Sequence, residues 1–396
     1  MVGNREKERP MAGYLFAMGS KEAAMKCMKT GIYSTYVKPT WDSANYATFG
    51  DYLTMKDGDN VYFFAERMIY GIGEIINFND SITAINNYSS SGDKPLIRSI
   101  PMEGKIQKWI IRFQPSPHLF MQEIDMDALL ESNPEAFRSL RVFSQRSFIE
   151  FDDVENQAFK TGILQKNLST EALNTTGRPL DVEDVSASNI EKNTAQLTRY
   201  GNTYSNRRIT TKPLLALKRK KNGPSSVEML IEDGLLKQLN NHEPTTEQVF
   251  GEWDYLAHQV AASPMKPVAY MDFIDVFGYK WIRDIDDRIV DEYLVIEIKK
   301  DSSDGLSPDG GVNQLMKYVD WVCEHYAGGN YAQIKAFLVA HDFTHEPNMQ
   351  SNAAVRNYIS GHRPAQTKVW NDLILVRTIL IQTGHYDSRP MRPPRK

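Results

Sequence analysis

The chain has 396 residues, of which 41% are hydrophobic and 24% are charged, a composition typical of folded globular proteins. This length predicts at least two domains. The formal net charge of −4 argues against general nucleic-acid binding, so any such contact must come from local basic patches. The two cysteines, Cys27 and Cys323, indicate neither a disulfide framework nor a zinc site. Without a signal peptide or a long apolar run, we expect a cytoplasmic protein that does not enter a membrane.

Residues 11–160 are predicted to form a separate β-rich domain. A short strand over 13–18 is followed by a helix over 20–30. Further predicted strands lie within 56–64, 69–75, 109–113 and 147–151. Many short strands separated by Gly and Asp turns are typical of a small β-barrel.

This half of the chain resembles the PUA-like superfamily, and within it the EVE and YTH-type domains. The matching phrases are Tyr14-Leu-Phe16, Lys56-x-Gly-Asp-x-Val-Tyr-Phe-Phe64, Tyr70-Gly-Ile-Gly-Glu74 and the stretch 146–155. The resemblance implies a domain that reads a modified base, flipped into an aromatic pocket.

The predicted loop 40–50 supplies the residue types that such a pocket needs. Trp41, Tyr46 and Phe49 could stack on a base, which is worth about 1–3 kcal/mol per base. The same loop carries polar side chains that could bond the edge of a base: Asp42, Ser43 and Asn45. The alternative is that the aromatic residues pack the interior of the barrel.

Residues 161–222 are polar, rich in Asn, Thr and Ser, and are predicted to be a linker or a loosely structured insertion. The alternative is a segment that folds against a partner subunit. This segment ends in a basic run of four residues: Lys218, Arg219, Lys220 and Lys221. Two interpretations stay open: a patch that contacts phosphates, with Arg207 and Arg208 as its extension, or a solvated charge run. The tail 386–396 is basic and Pro-rich, and is predicted to be disordered and to touch DNA weakly.

A predicted hairpin brings two acidic residues together in the second half of the chain. The strands 270–278 and 293–300 flank a polar turn centred on 286. Folding about that point places Asp275 opposite Glu297, and Lys299 points to the same face as Glu297. Asp272 competes with Asp275, but three residues of regular strand separate them, so they face opposite ways. Two carboxylates and a lysine on one face suit a divalent cation beside a phosphodiester.

Helices are predicted before and after this hairpin. The later one, over 313–325, places Gln314 and Tyr318 on one face, and a strand over 334–340 follows. The earlier ones are predicted over 225–239 and 246–260. They offer three further acids: Glu228, Glu232 and Glu252. Glu228 could alternatively serve a capping box with Ser225.

The motifs Phe273-Ile-Asp275, Glu297-Ile-Lys299 and Gln314-x-x-x-Tyr318 resemble the core of PD-(D/E)XK nucleases, in particular the RecB-like and NucS-type branches. The resemblance implies an α/β nuclease domain over 223–385. In it, Asp275, Glu297 and the backbone carbonyl of Ile298 would hold Mg²⁺, for which Mn²⁺ would substitute. Lys299, Gln314, Tyr318 and Glu228 would complete the catalytic set.

The fold class expected is therefore multidomain, a PUA-like β-barrel followed by an α/β PD-(D/E)XK core. The function expected is Mg²⁺-dependent DNA endonuclease activity, directed by base modification and used in defence against phage. A homodimer would let two sites cut both strands. Two alternatives stay open, a NucS-type repair endonuclease for mismatched or branched DNA and a non-catalytic nucleic-acid sensor. No P-loop motif occurs, so any NTP-driven activity would need a partner subunit.

Overall fold

The computed structural model describes residues 11–38, 41–79, 82–87, 107–115, 123–137, 147–167, 207–209, 226–264, 270–283, 288–303, 310–343, 354–380 and 386–390. The chain divides into two compact units, Met1–Thr210 and Thr211–Lys396. The division falls inside the segment 161–222 that was predicted to be polar linker. None of the helices in the described ranges is long and apolar enough to cross a membrane.

The first unit combines short strands with four helices in its described part. Its strands are β1 Gly13–Ala17, β2 Ile32–Tyr36, β3 Asn60–Ala65, β4 Met68–Ile75, β5 Ala84–Asn86, β6 Gln107–Pro115, β7 Ile124–Asp125 and β8 Phe148–Phe151. Its helices are α1 Lys21–Thr30, α2 Ser43–Thr54, α3 Met126–Ser132 and α4 Asp153–Asn167. The strands predicted from the sequence are present as β1, β3, β4, β6 and β8. Ser20 caps α1 as expected for a helix start, because its hydroxyl accepts a hydrogen bond from the Ala23 N–H.

These strands form one curled sheet in the order β2-β6-β4-β3-β1-β8, with β5 added on β6 and β7 on β4. The pair β1–β3 is parallel, whereas the other ladders are antiparallel. The rings of Tyr33 on β2 and Phe148 on β8 lie 5.2 Å apart, so side chains from the two end strands meet. Within the described residues no ladder joins β2 to β8, and the predicted barrel is observed as a half-barrel sheet.

The predicted linker is structured at its beginning and near its end. Helix α4 continues to Asn167, seven residues beyond the predicted domain boundary at 160. Residues 207–209 lie against β5, where the Asn86 N–H donates to the Arg207 carbonyl at 2.7 Å. Both pieces therefore belong to the first unit, and the rest of 161–206 lies outside the described residues.

The second unit has an α/β architecture. Its helices are α5 Ser226–Asn240, α6 Pro244–Phe250 and α7 Gly311–His325, with a 3₁₀ turn at Tyr331–Gln333. Its strands are β9 Tyr255–Ala261, β10 Phe273–Trp281, β11 Val290–Ser303, β12 Ile334–Phe343, β13 Arg356–Ser360, β14 Gln366–Trp370, β15 Leu373–Leu380 and β16 Tyr386–Pro390. The helix predicted over 246–260 is wrong in its second half, because 255–261 pairs with β10 as a strand.

The main sheet of this unit has the order β16-β15-β12-β11-β10-β9. Strands β9, β10 and β11 form an antiparallel meander, and α7 connects β11 to its parallel neighbour β12. The apolar run in β11 is buried because the sheet is covered on both faces. Helices α5 and α6 cover one face of the sheet. The helices and the turn after α6 contribute Leu235, Leu236, Leu239, Phe250 and Trp253 to this core, and the strands contribute Val276, Leu294, Ile296, Ile298, Phe337 and Val339.

The end of the chain departs from the prediction of a disordered tail. Residues Tyr386–Pro390 form β16, an edge strand paired antiparallel with β15. Only 391–396 of the predicted tail lie outside the described residues.

Gly278, in the middle of β10, allows the close strand packing that supports the hairpin. A Cβ at this position would lie 2.7 Å from the Tyr255 carbonyl oxygen and 3.0 Å from a Leu256 methyl carbon. Both strands would have to shift, so we expect Gly278→Ala to lower the free energy of unfolding by about 1–3 kcal/mol. Chemical denaturation of the full chain measures this, with Gly19→Ala as the control, because a Cβ there meets nothing within 4 Å. Equal destabilisation of both variants would contradict the argument.

Candidate active site

The hairpin β10–β11 has the register predicted from its turn. Its ladder pairs Val276 with Ile296, and the next step of the same register brings Asp275 beside Glu297. The Asp275 carboxylate accepts a hydrogen bond from the Ile298 N–H at 2.7 Å, which ties the end of one strand to the other. Asp272 lies before the start of β10. The hairpin geometry therefore singles out Asp275, as the register argument predicted.

Four of the predicted residues form one chain of hydrogen bonds. Lys299 donates to Glu297 Oε1 at 2.5 Å and to Gln314 Oε1 at 2.8 Å. Gln314 in turn donates from Nε2 to the Tyr318 hydroxyl at 2.8 Å. The first contact arises because residues two apart on β11 share a face, and the last because residues four apart on α7 share a face. Helix α7 thus fixes the lysine over the acidic pair.

The electrostatics of this cluster are those of crowded, buried carboxylates. Burial raises the pKa of Asp275 well above its ordinary value, and the charge of Glu297 raises it further. Burial also raises the pKa of Glu297 to about 7, although Lys299 opposes the shift. Burial alone would lower the pKa of Lys299, but the adjacent Glu297 raises it overall, so the lysine stays protonated. Without a cation, these shifts move both carboxyl groups toward their protonated form, as expected where buried acids are crowded together.

The residues present fit a divalent cation. The Glu297 side chain is 1% exposed, yet its Oε2 atom is buried without a hydrogen-bond partner. A buried carboxylate oxygen without a donor is costly, and a cation would satisfy it. No group of three or more carboxylate, imidazole or thiolate side chains in the described part of the chain is arranged to hold a metal ion. Two carboxylates would leave most positions around a Mg²⁺ ion to water, and Mg²⁺ at this site stays a prediction. The Ile298 carbonyl as a further ligand stays a prediction.

Three neighbouring residues extend the acidic cluster beyond the predicted set. Glu232 on α5 is 2% exposed, and its two oxygens lie 3.1 Å from His258 Nδ1 and 3.0 Å from Gln259 Nε2. The same Gln259 amide donates to Asp275 Oδ1 at 3.2 Å, so it bridges the two carboxylates. Gln259 has a φ of 51°, a left-handed conformation that side chains rarely adopt and that is found at functional sites.

The sequence analysis weighed Glu232 but missed His258 and Gln259. The segment that holds them was predicted as helix, and their short β9 strand gives no motif. Glu228, one turn before Glu232 on α5, is half-buried, and its charge raises the pKa of both Glu297 and Asp275. Both candidate acids of α5 therefore act electrostatically on the hairpin pair. Ser225, the predicted cap partner of Glu228, lies outside the described residues.

Glu252 does not belong to this cluster. It is exposed, follows the end of α6, and its carboxylate lies 3.6 Å from the Arg283 guanidinium. The prediction that placed it on a helix is wrong because α6 ends at Phe250.

In the first unit, the predicted loop 40–50 is mostly helix. Asp42 caps α2 by accepting a hydrogen bond from the Asn45 N–H at 3.0 Å, which accounts for an acidic residue at this position. Tyr46 and Phe49 are buried on this helix, with their rings 5.1 Å and 5.4 Å from the Trp41 ring. In this conformation these two aromatics pack the interior, the alternative that the sequence left open.

Trp41 differs from these buried rings. It is half-buried, and its ring meets the fully buried Trp109 at 4.9 Å in an edge-to-face arrangement. The Lys108 ammonium lies 6.0 Å from the centre of the Trp41 ring, and burial lowers the pKa of this lysine. Trp41 and Lys108 therefore form a partly exposed cation–π pair that packs on the buried ring of Trp109. Lys108 was not predicted from the sequence.

The predicted basic run Lys218, Arg219, Lys220 and Lys221 lies outside the described residues. Arg207, suggested as its extension, instead donates to the Asn87 carbonyl at 2.7 Å inside the first unit.

Comparisons with known proteins add little to this geometry. No family model matches the chain, and no curated protein matches it. Similar solved structures include a repair endonuclease from Pyrococcus abyssi, with a TM-score of 0.20 and 22% identity, over 31% of this chain and 42% of that one. They also include the MspJI restriction endonuclease in complex with a 27-mer oligonucleotide, with a TM-score of 0.17 and 8% identity, over 82% of this chain and 65% of that one. Each match thus covers less than two thirds of the length of the similar structure. At these TM-scores the likeness carries no functional argument, so the function is argued from the site.

Proposed function

We propose that this chain is a metal-dependent DNA endonuclease of the PD-(D/E)XK type, with its active site on the β10–β11 hairpin. The observation that carries the proposal is the buried acidic pair joined to Lys299, Gln314 and Tyr318 in one hydrogen-bonded chain. An acidic pair of this kind has little structural value without a cation, because burial of like charges is unfavourable.

The residues of the chain have distinct roles in this reaction. Asp275 and Glu297 would hold Mg²⁺, with Mn²⁺ as a substitute. The cation, when bound, would lower the pKa of a water and stabilise charge on the phosphate. Lys299 is held protonated between Glu297 and Gln314, so its ammonium can orient the attacking water or neutralise developing charge. Gln314 and Tyr318 fix the direction of the ammonium group.

The first unit supplies selectivity in this proposal. It is a PUA-like domain whose half-buried Trp41, with Lys108 beside it, would stack on a base taken out of the duplex. A base reader joined to a nuclease core acts as a modification-dependent restriction enzyme in defence against phage. The nuclease core contacts the backbone, which carries no base identity, so discrimination must come from elsewhere in the chain.

Cleavage of matched duplexes tests the proposal. The duplexes carry cytosine, 5-methylcytosine, 5-hydroxymethylcytosine or its glucosylated form, and are incubated with the protein and Mg²⁺ or Mn²⁺. We expect one modified duplex to be cut at least about tenfold faster than the unmodified one, since loss of a stacked base costs about 1–3 kcal/mol. Cutting of all duplexes alike would leave a nuclease without a reader and favour the repair alternative. No cutting with either metal would favour the sensor.

Trp41→Ala separates reading from cleavage. We expect this variant to lose the preference for the modified duplex while it still cuts at the unmodified rate, because the ring lies in the first unit and not in the catalytic chain. Tyr36→Ala serves as a control, because it removes another partly buried aromatic ring of the same unit, on β2. If Trp41→Ala keeps the preference for the modified duplex, Trp41 does not recognise the modified base.

A further inference from the structure

The hairpin of β13 and β14, residues 354–370, is a two-stranded ribbon set apart from the main sheet. Its base is firmly attached to the second unit. Arg356 forms two hydrogen bonds to the Asp320 carboxylate on α7, at 2.8 and 2.9 Å. Trp370 donates from its ring nitrogen to the Ile334 carbonyl at 3.0 Å, at the start of β12. The ribbon therefore has a defined position, fixed at both of its strand ends.

One face of the ribbon is entirely exposed. The register pairs Asn357 with Val369 and Ile359 with Thr367, and strand alternation places these four side chains on the same face. All four are exposed, with Ile359 at 75% and Val369 at 61%. Exposed β-branched residues on one rigid face are a mark of an interaction surface. The opposite face is the attached one, where the rings of Tyr358 and Trp370 pack near Tyr331.

The charge of the ribbon indicates the nature of the partner. Residues 354–370 contain Arg356, Arg363 and Lys368, together with His362, and contain no Asp or Glu. Because Arg356 pairs with Asp320, the segment offers two positive charges to a partner, Arg363 and Lys368, in a chain whose formal net charge is −4. A second copy of the ribbon is a poor partner, because pairing would bring two sets of like charges together.

We propose that the ribbon docks in the major groove of duplex DNA and forms the sequence- or register-determining contact of this protein. The major groove is about 12 Å wide and admits a two-stranded β-ribbon. Arg363 near the tip would contact a phosphate at the groove edge. Lys368 is paired with Tyr358 and so lies on the opposite face, from which it would contact the phosphates of the groove wall. The exposed face supplies residue types that contact base edges, with the Asn357 amide suited to adenine and the methyl groups of Ile359 and Val369 to thymine.

The position of the ribbon is compatible with this use. Its anchor at Ile334 lies six residues along β12 from Ala340, the partner of Lys299 in the ladder. Six residues of strand span roughly 20 Å, which is less than one turn of duplex at about 34 Å. The separation between the anchor of the ribbon and the catalytic chain is therefore within the length of one continuous duplex.

The inference rests on the proposed function for its substrate, and binding without cleavage tests it separately. Each variant is made on the full chain with Glu297→Gln, so that the duplex stays intact. Affinity for a 30-base-pair duplex (about three turns) is measured by fluorescence anisotropy over a series of salt concentrations. The test variant is Arg363→Ala with Lys368→Ala. The control is Lys280→Ala with Lys335→Ala, which removes the same charge from the same unit at lysines that pair with Glu292.

We expect the test variant to bind about tenfold more weakly, with a salt slope lower by about 2, and the control to match the parent. Ile359→Ser with Val369→Ser is expected to weaken binding without changing the slope, because it removes no charge. Equal affinity and slope in test variant and parent would overturn the proposal. The proposal would also be overturned if the parent were a dimer and Ile359→Ser with Val369→Ser were a monomer that retained DNA affinity. A second copy of the chain would then cover the exposed face of the ribbon. If DNA binding depends on the ribbon but the protein with Glu297 intact does not cleave, the proposed nuclease function is refuted and DNA binding by the ribbon is retained.

Discussion

Glu297→Gln and Lys299→Ala are each expected to reduce Mg²⁺-dependent cleavage about a thousandfold or more. The first change removes a charge from the acidic pair and so weakens the cation site, whose contribution to the reaction is several kcal/mol. The second removes the ammonium group that joins Glu297 to Gln314. Single-turnover cleavage of the preferred duplex measures both effects.

The same hairpin offers a matched control. Lys280 on β10 and Glu292 on β11 are direct partners in the ladder and form an ion pair of 2.7 Å. Glu292→Gln and Lys280→Ala make the same two kinds of substitution in the same hairpin, but at its opposite end from the acidic pair. We expect near-parental cleavage from both. Equal losses at the two ends of the hairpin would mean that the variants act through folding and not through catalysis.

Glu297→Gln is also expected to stabilise the metal-free protein, an effect opposite to that on activity. The pKa of Glu297 in the folded protein is about 7 against an ordinary value of 4.5, so the folded state holds this proton more tightly than the unfolded chain. The stability of the parent therefore falls as the pH rises from about 4.5 to about 7, and the full penalty is present above that range. One unit of pKa is worth about 1.4 kcal/mol, so the penalty at pH 8 is a few kcal/mol, and the raised pKa already includes the opposing attraction of Lys299.

Thermal unfolding with and without Mg²⁺ measures this balance. At pH 8 we expect Mg²⁺ to raise the midpoint of the parent, because the cation binds the folded state, and to leave Glu297→Gln nearly unchanged. At pH 5 the parent and the variant should approach one another in the absence of metal. A Glu297→Gln protein that is less stable than the parent at pH 8 would show that the carboxylate is satisfied within the protein, and the argument for a cation would fail.

Local geometry explains which parts of the site could be predicted from the sequence. The register of β10 and β11 follows from the position of one polar turn. The contact of Lys299 with Glu297 follows from strand periodicity, and that of Gln314 with Tyr318 from helix periodicity. These relationships involve residues close in sequence, or residues linked by a single hairpin. They need no knowledge of how distant elements pack.

The remaining features depend on tertiary packing. Gln259 reaches Asp275 only because 255–261 is a strand in the sheet, whereas its sequence suggested the continuation of a helix. The helix α2 contradicts the loop inferred from aromatic and polar residues, since its apolar positions become clear only when Phe49 is seen against Trp109. The ribbon was not predicted because apolar and polar residues do not alternate along the sequence of either of its strands, as they do in a half-buried strand.

Strand β11 has an antiparallel neighbour on one side and a parallel neighbour on the other, and this has a consequence for the order of folding. The acidic pair needs only a hairpin, which forms from contacts local in sequence within microseconds. The Lys299–Gln314 contact needs α7 in place, and α7 is held by the pairing of β11 with β12, which must first close a long connection. A chain emerging from the ribosome therefore assembles its acids before it acquires the groups that direct the lysine. We therefore expect the Lys299–Gln314 contact to form only after β12 has been synthesised.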